Sequence, residues 1–198
     1  MKTPFNLNYQ NKKIEFKIVV ALERVSEAFR VLLWNNSKGN GLSPIQIQML
    51  VFLRFHSTEN ATIGYLAKEF NLSKATVSDS MKTLMQKGYA SKTETPTDAR
   101  SFRIALTPEG EKIADASANF AFAFEKPIHT LSDAQKEIML NGLLTLIADL
   151  NKAGIITLQR MCFSCAHYSL HKNVHYCNLL NKKLATSELR IDCPEHLA

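Results

Sequence analysis

The stretch TIGYLAKEFNLSKATVSDSMKTLMQKG, residues 62–88, decides how the rest of the chain is read. Thr62 opens a short helix in which Ile63, Leu66, Ala67 and Phe70 fall at helical spacing. The triplet Asn71-Leu72-Ser73 then leaves room only for a tight turn, and Ser73 is a good N-cap for a second helix. In that second helix Val77, Met81, Leu84 and Met85 recur at i, i+4, i+7 and i+8, so they share an inward face, and Gly88 stands where the helix should end. The opposite face is left to Lys74, Ala75, Thr76, Ser78, Asp79 and Lys82. A helix that keeps small and polar residues outward can lie in a major groove, from which bulky side chains would hold it away. There the Thr76 and Ser78 hydroxyls suit phosphates or base edges, and Lys74 and Lys82 suit phosphates. Taken as structure alone, the same face is an ordinary solvated helix surface.

Downstream, Tyr89–Thr95 and Phe102–Leu106 read as two short strands, because they flank the turn-forming stretch Pro96-Thr97-Asp98-Ala99-Arg100-Ser101. The resulting hairpin has a basic tip. Arg100 and Arg103 lie on or beside a loop that can reach past the second helix, and an arginine there suits the narrow, negative minor groove. Asp98 is placed either to hold the Arg100 guanidinium in a bidentate pair or simply to form the turn.

Working outward, residues 11–36 form a long first helix with the stripe Ile18, Leu22, Val25, Phe29 and Leu32, ended by the polar break NNSKGNG. Ser43, Pro44 and Gln46 make a capping box with a first-position proline for a helix running to about Phe55. Thr107-Pro108-Glu109 starts a fifth helix toward Lys126. Ser132 with Gln135 starts a sixth, whose apolar side is Ile138, Leu143, Leu144, Ile147 and Leu150, and Gly154 closes it. The long helices carry more apolar surface than one small core can cover, with Phe120, Phe122 and Phe124 the plainest excess, which points to a homodimer.

Between Phe16 and Asn151 the chain resembles the MarR family of bacterial regulators. The likeness lies in the order and spacing of Leu66-Ala67, Leu72-Ser73, Thr76-Val77-Ser78, Leu84, Gly88-Tyr89, Asp98-Ala99-Arg100-Ser101 and Leu106-Thr107-Pro108-Glu109-Gly110. The resemblance implies a mainly α fold with a small β-hairpin wing. It further implies a winged helix-turn-helix homodimer whose N- and C-terminal helices intertwine. It places the positions matching Ser73, Thr76 and Ser78 at the groove, and has Arg100 enter the minor groove steadied by Asp98. A two-fold dimer of this kind reads a pseudo-palindromic duplex DNA operator with half-sites about one turn apart. In the family a small organic effector commonly binds between the helices.

The chain is 198 residues long and 45% apolar, with a net charge of +6. The charge is uneven: residues 62–106 carry seven basic against four acidic side chains, whereas residues 107–151 carry three against seven. That imbalance suits a polyanionic partner for the first segment. No signal-like apolar core opens the chain, and no run reaches the roughly 18 apolar residues of a membrane span, so a cytoplasmic protein without a membrane partner is expected. Residues 11–153 therefore read as the winged-helix domain with its dimerisation helices, with 62–106 its DNA-binding core.

Residues 154–198 are a cysteine-rich tail, which the family resemblance does not cover. Its four cysteines, Cys162, Cys165, Cys177 and Cys193, lie as C-x2-C-x11-C-x15-C after a cysteine-free body. In a reducing compartment such clustering reads as a metal site. Zinc fits a four-thiolate shell, with His167, His171, His175 and His196 as alternative ligands. An iron–sulfur cluster fits better a single CxxC followed by two dispersed cysteines, the last before Pro194. If the tail needs metal to fold, loss or oxidation of that metal would release it and alter the spacing of the recognition helices.

The function expected is transcriptional regulation, as a repressor that answers to metal or redox state through the tail. The alternatives are control by an organic ligand with a purely structural zinc, or a metal-binding scaffold that holds another protein. No Ser/His/Asp order, phosphate-binding glycine loop or HExxH supports an enzyme, and Glu109 and Glu111 read as first-turn helix charges.

Overall fold

Side-chain caps set most of the α-helix starts in the computed structural model, which describes residues 1–94, 102–172 and 174–198. The helices are α1 (Leu7–Gln10), α2 (Ile14–Asn40), α3 (Pro44–Phe55), α4 (Ile63–Glu69), α5 (Lys74–Gln86), α6 (Pro108–Ser117), α7 (Glu125–His129) and α8 (Asp133–Lys152). The strands are β1 (Ala90–Glu94), β2 (Phe102–Leu106), β3 (Tyr168–His171), β4 (Val174–Cys177) and β5 (Lys182–Leu184). Both expected capping boxes form. The Ser43 N–H donates to Gln46 Oε1 at 2.9 Å, and the Ser132 N–H donates to Gln135 Oε1 at 2.9 Å, each with the reciprocal bond present.

The main core gathers Ile47, Met49 and Leu50 of α3, Leu66 of α4, Val77, Met81 and Leu84 of α5, Ile104 of β2 and Ala114 of α6, all essentially sealed from solvent. The antiparallel β1–β2 hairpin runs in register from Ala90↔Leu106 to Glu94↔Phe102. It is fixed to the helices when the Ile104 N–H donates to the Ala61 carbonyl at 2.8 Å, so the segment entering α4 borders the wing.

Of the glycines, Gly110 at the corner where the hairpin returns to α6 has the least room for a side chain. Thr107 Oγ1 donates to the Gly88 carbonyl at 2.6 Å and accepts the Gly110 N–H at 3.1 Å. A Cβ at Gly110 would stand 1.9 Å from the Tyr89 carbonyl oxygen, inside any allowed contact. Only glycine lets α6 start this close to the strand, which gives the Gly110 of the family-like motif a steric reason.

Four features depart from the sequence reading. The first long helix does not stop at Asn36 but runs through the polar NNSKGN segment to Asn40, where Gly41 ends it at φ 58°; the buried Ser37 hydroxyl is satisfied by donating to the Trp34 carbonyl. The fifth helix does not reach Lys126 unbroken, because residues 118–124 tighten into 3-10 geometry between α6 and α7. Phe124 stacks on Phe29 at 4.1 Å and Phe120 meets the same ring edge-on at 6.4 Å, so two of the three phenylalanines are used within the protomer and Phe122 alone stays outward. Ile138, assigned to the apolar side of the sixth helix, is 75% exposed.

The fourth departure is the tail, in which no strands were read from the sequence. β3, β4 and β5 form a three-stranded antiparallel sheet in that order. Met161, Leu184 and Leu189 bury against Leu144 and Ala148 of α8, so this second core is built on that helix and is separate from the main one. Among the described residues no helix is long and apolar enough to cross a membrane.

Gly110→Ala is expected to cost about 2–3 kcal/mol, the range for forcing a methyl group into a packed contact, because backbone must yield. Gly39→Ala in α2 meets nothing within 4 Å and is expected to be neutral or to gain up to about 1 kcal/mol. Urea unfolding of the two variants checks this; equal stabilities would contradict the role given to the Gly110 corner.

Candidate nucleic-acid interface and candidate metal centre

The helix-turn-helix is built by local chemistry. α4 is capped by Thr62, whose Oγ1 accepts the Tyr65 N–H at 3.2 Å. It ends because Asn71 takes the left-handed conformation at φ 54°, while the Leu72 N–H donates back to the Ala67 carbonyl at 2.9 Å. Asparagine tolerates that region better than most side chains. Ser73 then caps α5: its Oγ accepts the Thr76 N–H at 3.1 Å, and the two hydroxyls pair at 2.8 Å.

With Val77, Ser80, Met81 and Leu84 consumed by the interior, α5 leaves its other side open. Ser73, Lys74, Ala75, Thr76, Ser78, Asp79 and Lys82 are all exposed, as expected from the spacing. An open groove separates this helix from the wing, with Ser78, Lys82 and Gln86 on one wall and Lys92 and Phe102 on the other. The Lys92 ammonium lies 4.3 Å from the centre of the Phe102 ring, which aims a cation along the groove. Lys92 and Gln86 were not singled out from the sequence, since their place on the groove depends on how the hairpin packs. Arg103 is half-buried in β2 opposite Thr93 rather than free beside the tip. Asp98, Arg100 and Ser101 lie outside the described residues.

The tail brings all four cysteines to one place. Cys162, Cys165, Cys177 and Cys193 line a single cavity, together with His167, Tyr168, Leu184 and Glu195. The Arg190 N–H donates to Cys162 Sγ at 3.2 Å, and the Arg190 guanidinium reaches Cys193 Sγ at 3.6 Å. Burial pushes the Cys162 thiol above its ordinary value, opposed by the Arg190 N–H and reinforced by the neighbouring cysteines. As placed, no three His, Cys, Asp or Glu side chains among the described residues converge closely enough to share one metal ion. Of the tail histidines only His167 borders the cavity. His175 pairs with the Tyr168 hydroxyl at 2.7 Å and His196 with Ser164 at 3.0 Å.

The residues that join tail to helix-turn-helix escaped the sequence reading. Arg160 forms a bidentate pair with Asp192, both bonds 2.6 Å, and extends to Glu69 at 2.7 Å and to the Tyr65 hydroxyl. Its side chain is only 13% exposed and lies over the rings of Phe52 and Tyr65. Asp192 also faces His56 Nε2 at 2.8 Å. The Asp192 hydrogen bonds, with those to Glu69, hold the Arg160 guanidinium above its ordinary value. Reciprocally, Arg160 holds the Asp192 carboxyl below the usual carboxylate range. The side chain of the turn joins in: Asn71 Nδ2 donates to the Ile155 carbonyl at 3.4 Å. The only advance signal was position, since Arg160 and Asp192 stand two residues and one residue before cysteines.

Residues 40–101 match the family described as MarR. No curated protein sequence matches the chain. Among solved structures, the chain is similar to a Staphylococcus aureus MepR–DNA complex at 21% identity, a TM-score of 0.59, and 67% of this chain against 97% of that one. It is also similar to S. aureus MepR in its DNA-binding conformation, at 21% identity and TM-score 0.60 over 67% and 98% of the two chains. A MarR transcriptional regulator from Methanosarcina mazei matches at 20% identity and TM-score 0.58, over 69% and 97%. These likenesses establish the winged-helix fold.

Ser73→Ala removes the acceptor that caps α5 and is expected to cost about 1 kcal/mol of stability. Ser73→Asp keeps a capping oxygen and should unfold close to wild type. Chemical denaturation of the pair distinguishes a capping side chain from a passive surface serine, for which both changes would be silent.

Proposed function

We propose that this chain, whose residues 40–101 match the MarR family, is a sequence-specific DNA-binding transcriptional regulator that acts as a homodimer in the cytoplasm. The observation that carries the reading is the open outer side of α5, where seven small, hydroxyl-bearing or charged residues are all exposed beside a groove edged by Lys82 and Lys92. A helix of that profile approaches base edges closely, and the neighbouring lysines neutralise phosphates. The DNA-bound state of the MepR neighbour supports carrying the same use to this fold. Arg100, with Asp98 beside it in sequence, is assigned to the adjacent minor groove on the family resemblance.

Dimerisation is supported by the faces left uncovered within one protomer. On α2 Ile14, Ile18, Val25, Phe29 and Trp34 are between 41% and 70% exposed, and Ile138, Met139 and Leu146 of α8 are exposed as well. Only Leu33 and Ser37 of the 27 residues of α2 are buried. A second copy is the fitting cover, since two-fold pairing of these helices sets two recognition helices on one side of a duplex. Occupancy of a promoter by such a dimer excludes polymerase, hence repression. The cysteine tail is read as the part that receives the signal, through a thiolate-bound iron–sulfur cluster or zinc ion.

Selection of bound duplexes from a random pool is expected to return a pseudo-palindrome with half-sites about one helical turn apart. Lys82→Ala should weaken all sequences alike and lower the slope of log affinity against log salt by about 1, whereas Thr76→Ala should relax base preference. Recovery of no common sequence, with a salt slope untouched by Lys82→Ala, would refute the reading. Ile18→Glu is expected to give a monomer on sedimentation that has lost operator binding; an unchanged dimer would place the interface elsewhere.

A further inference from the structure

The largest group of chemically reactive side chains outside the helix-turn-helix is the ring of sulfur in the tail. The four cysteines come from three separate stretches, the 3-10 turn Cys162–Ser164 with Cys165, the end of β4, and the C-terminal segment, yet they border one cavity. Packing accounts for them poorly, because thiols that serve as apolar filler are buried fully and each of these is only half-buried. N–H donors from Arg190 point at two of the sulfurs, an arrangement suited to thiolates rather than thiols.

We propose that Cys162, Cys165, Cys177 and Cys193 together hold one thiolate-bound metal centre, and that Arg160 and Asp192 relay its presence to the helix-turn-helix. The four sulfurs line one cavity, and a four-thiolate set of this kind serves either an iron–sulfur core or a zinc ion. Each ligating thiol gives up its proton on binding.

The relay follows from how the ligands are strung together. The Cys162 N–H donates to the Arg190 carbonyl at 3.0 Å, and the Cys193 N–H donates to the Arg160 carbonyl at 2.8 Å. These bonds lay the two ligand-bearing segments side by side, so that Arg160 and Asp192 pair across them. From that pair one arm reaches Glu69 and Tyr65 of α4, and the other reaches His56 just past α3. Fixing Cys162 and Cys193 on a common centre therefore fixes the charges against which α4 leans. Without the centre, the same segments keep their hydrogen bonds and a small core but lose the cross-link between Cys162 and Cys193, and the pairing loosens. This relay rests on the regulator reading for its biological sense but not for its test.

The test uses the full-length protein stripped of metal, then loaded under nitrogen with zinc alone in one arm and with ferrous iron plus sulfide in the other. Metal and acid-labile sulfide are counted, and hydrogen exchange is followed at the amides of residues 65–71. One arm is expected to load stoichiometrically, to lose that loading in Cys162→Ser and Cys193→Ser, and to slow the exchange about tenfold. Operator affinity should rise about fivefold or more on loading. Arg160→Ala, and independently the milder Asp192→Asn, should retain metal and lose both effects. Equal iron and sulfide would identify a cluster and zinc alone would identify zinc; either result upholds the shared centre. Loading that ignores the cysteines, or exchange that is the same with and without metal, overturns the proposal. If no form binds DNA while the exchange effect persists, the regulator reading fails and the relay stands.

Discussion

The arrangement depends on one constraint: α5 can offer a slender outer side only because its inner side is fully consumed. Val77, Met81 and Leu84 are sealed against α3, α4 and β2, and each loses its apolar surface to the same small core. Burial of such side chains is worth about 1.5–3 kcal/mol apiece, before the entropy of ordering them is set against it. That is enough to fix the rotation of a 13-residue helix, and the rotation decides which residues face out. The wing obeys the same logic at its base, where the Gly110 corner and the Ile104–Ala61 bond locate the strands relative to the helix they accompany.

What was legible in the sequence was what short-range chemistry decides. The caps at Ser43, Thr62, Ser73, Thr107 and Ser132, the turn at Asn71 and the inward stripe of α5 all depend on residues within a turn or two of each other. What was not legible depends on distant partners. The break at residues 118–124 carries neither glycine nor proline, and it accompanies the stacking of Phe124 and Phe120 around Phe29, some ninety residues earlier in the chain. The tail strands are three or four residues long, too short for alternation to show. Polar residues in NNSKGN were taken for a break, yet polarity alone does not end a helix; Gly41 does.

The two candidate sites differ in the same way. For α5, residue types and spacing sufficed to tell which side chains are exposed, and of the described candidate interface residues only Arg103 of the wing is partly covered. For the tail, spacing identified the four cysteines but not their setting, because the setting is made by Arg160, Asp192, Glu69 and His56, separated by up to 136 positions. The Arg160–Glu69 pair is sheltered, unlike the exposed i,i+3 pairs along α6 and α8, and sheltered pairs are the ones whose breakage a fold registers.

The packing of the tail on α8 has an evolutionary corollary. A module joined by a bare linker can be gained or lost with little harm to its host, but here Leu144 and Ala148 on the helix find their cover in Met161, Leu184 and Leu189 of the tail. A descendant that discarded the tail would be left with a sticky seam halfway along its longest C-terminal helix, and would have to repaint that seam with polar residues before it could stay soluble. Body and tail are thus bound to drift together, each substitution on one side of the seam constraining what the other can accept.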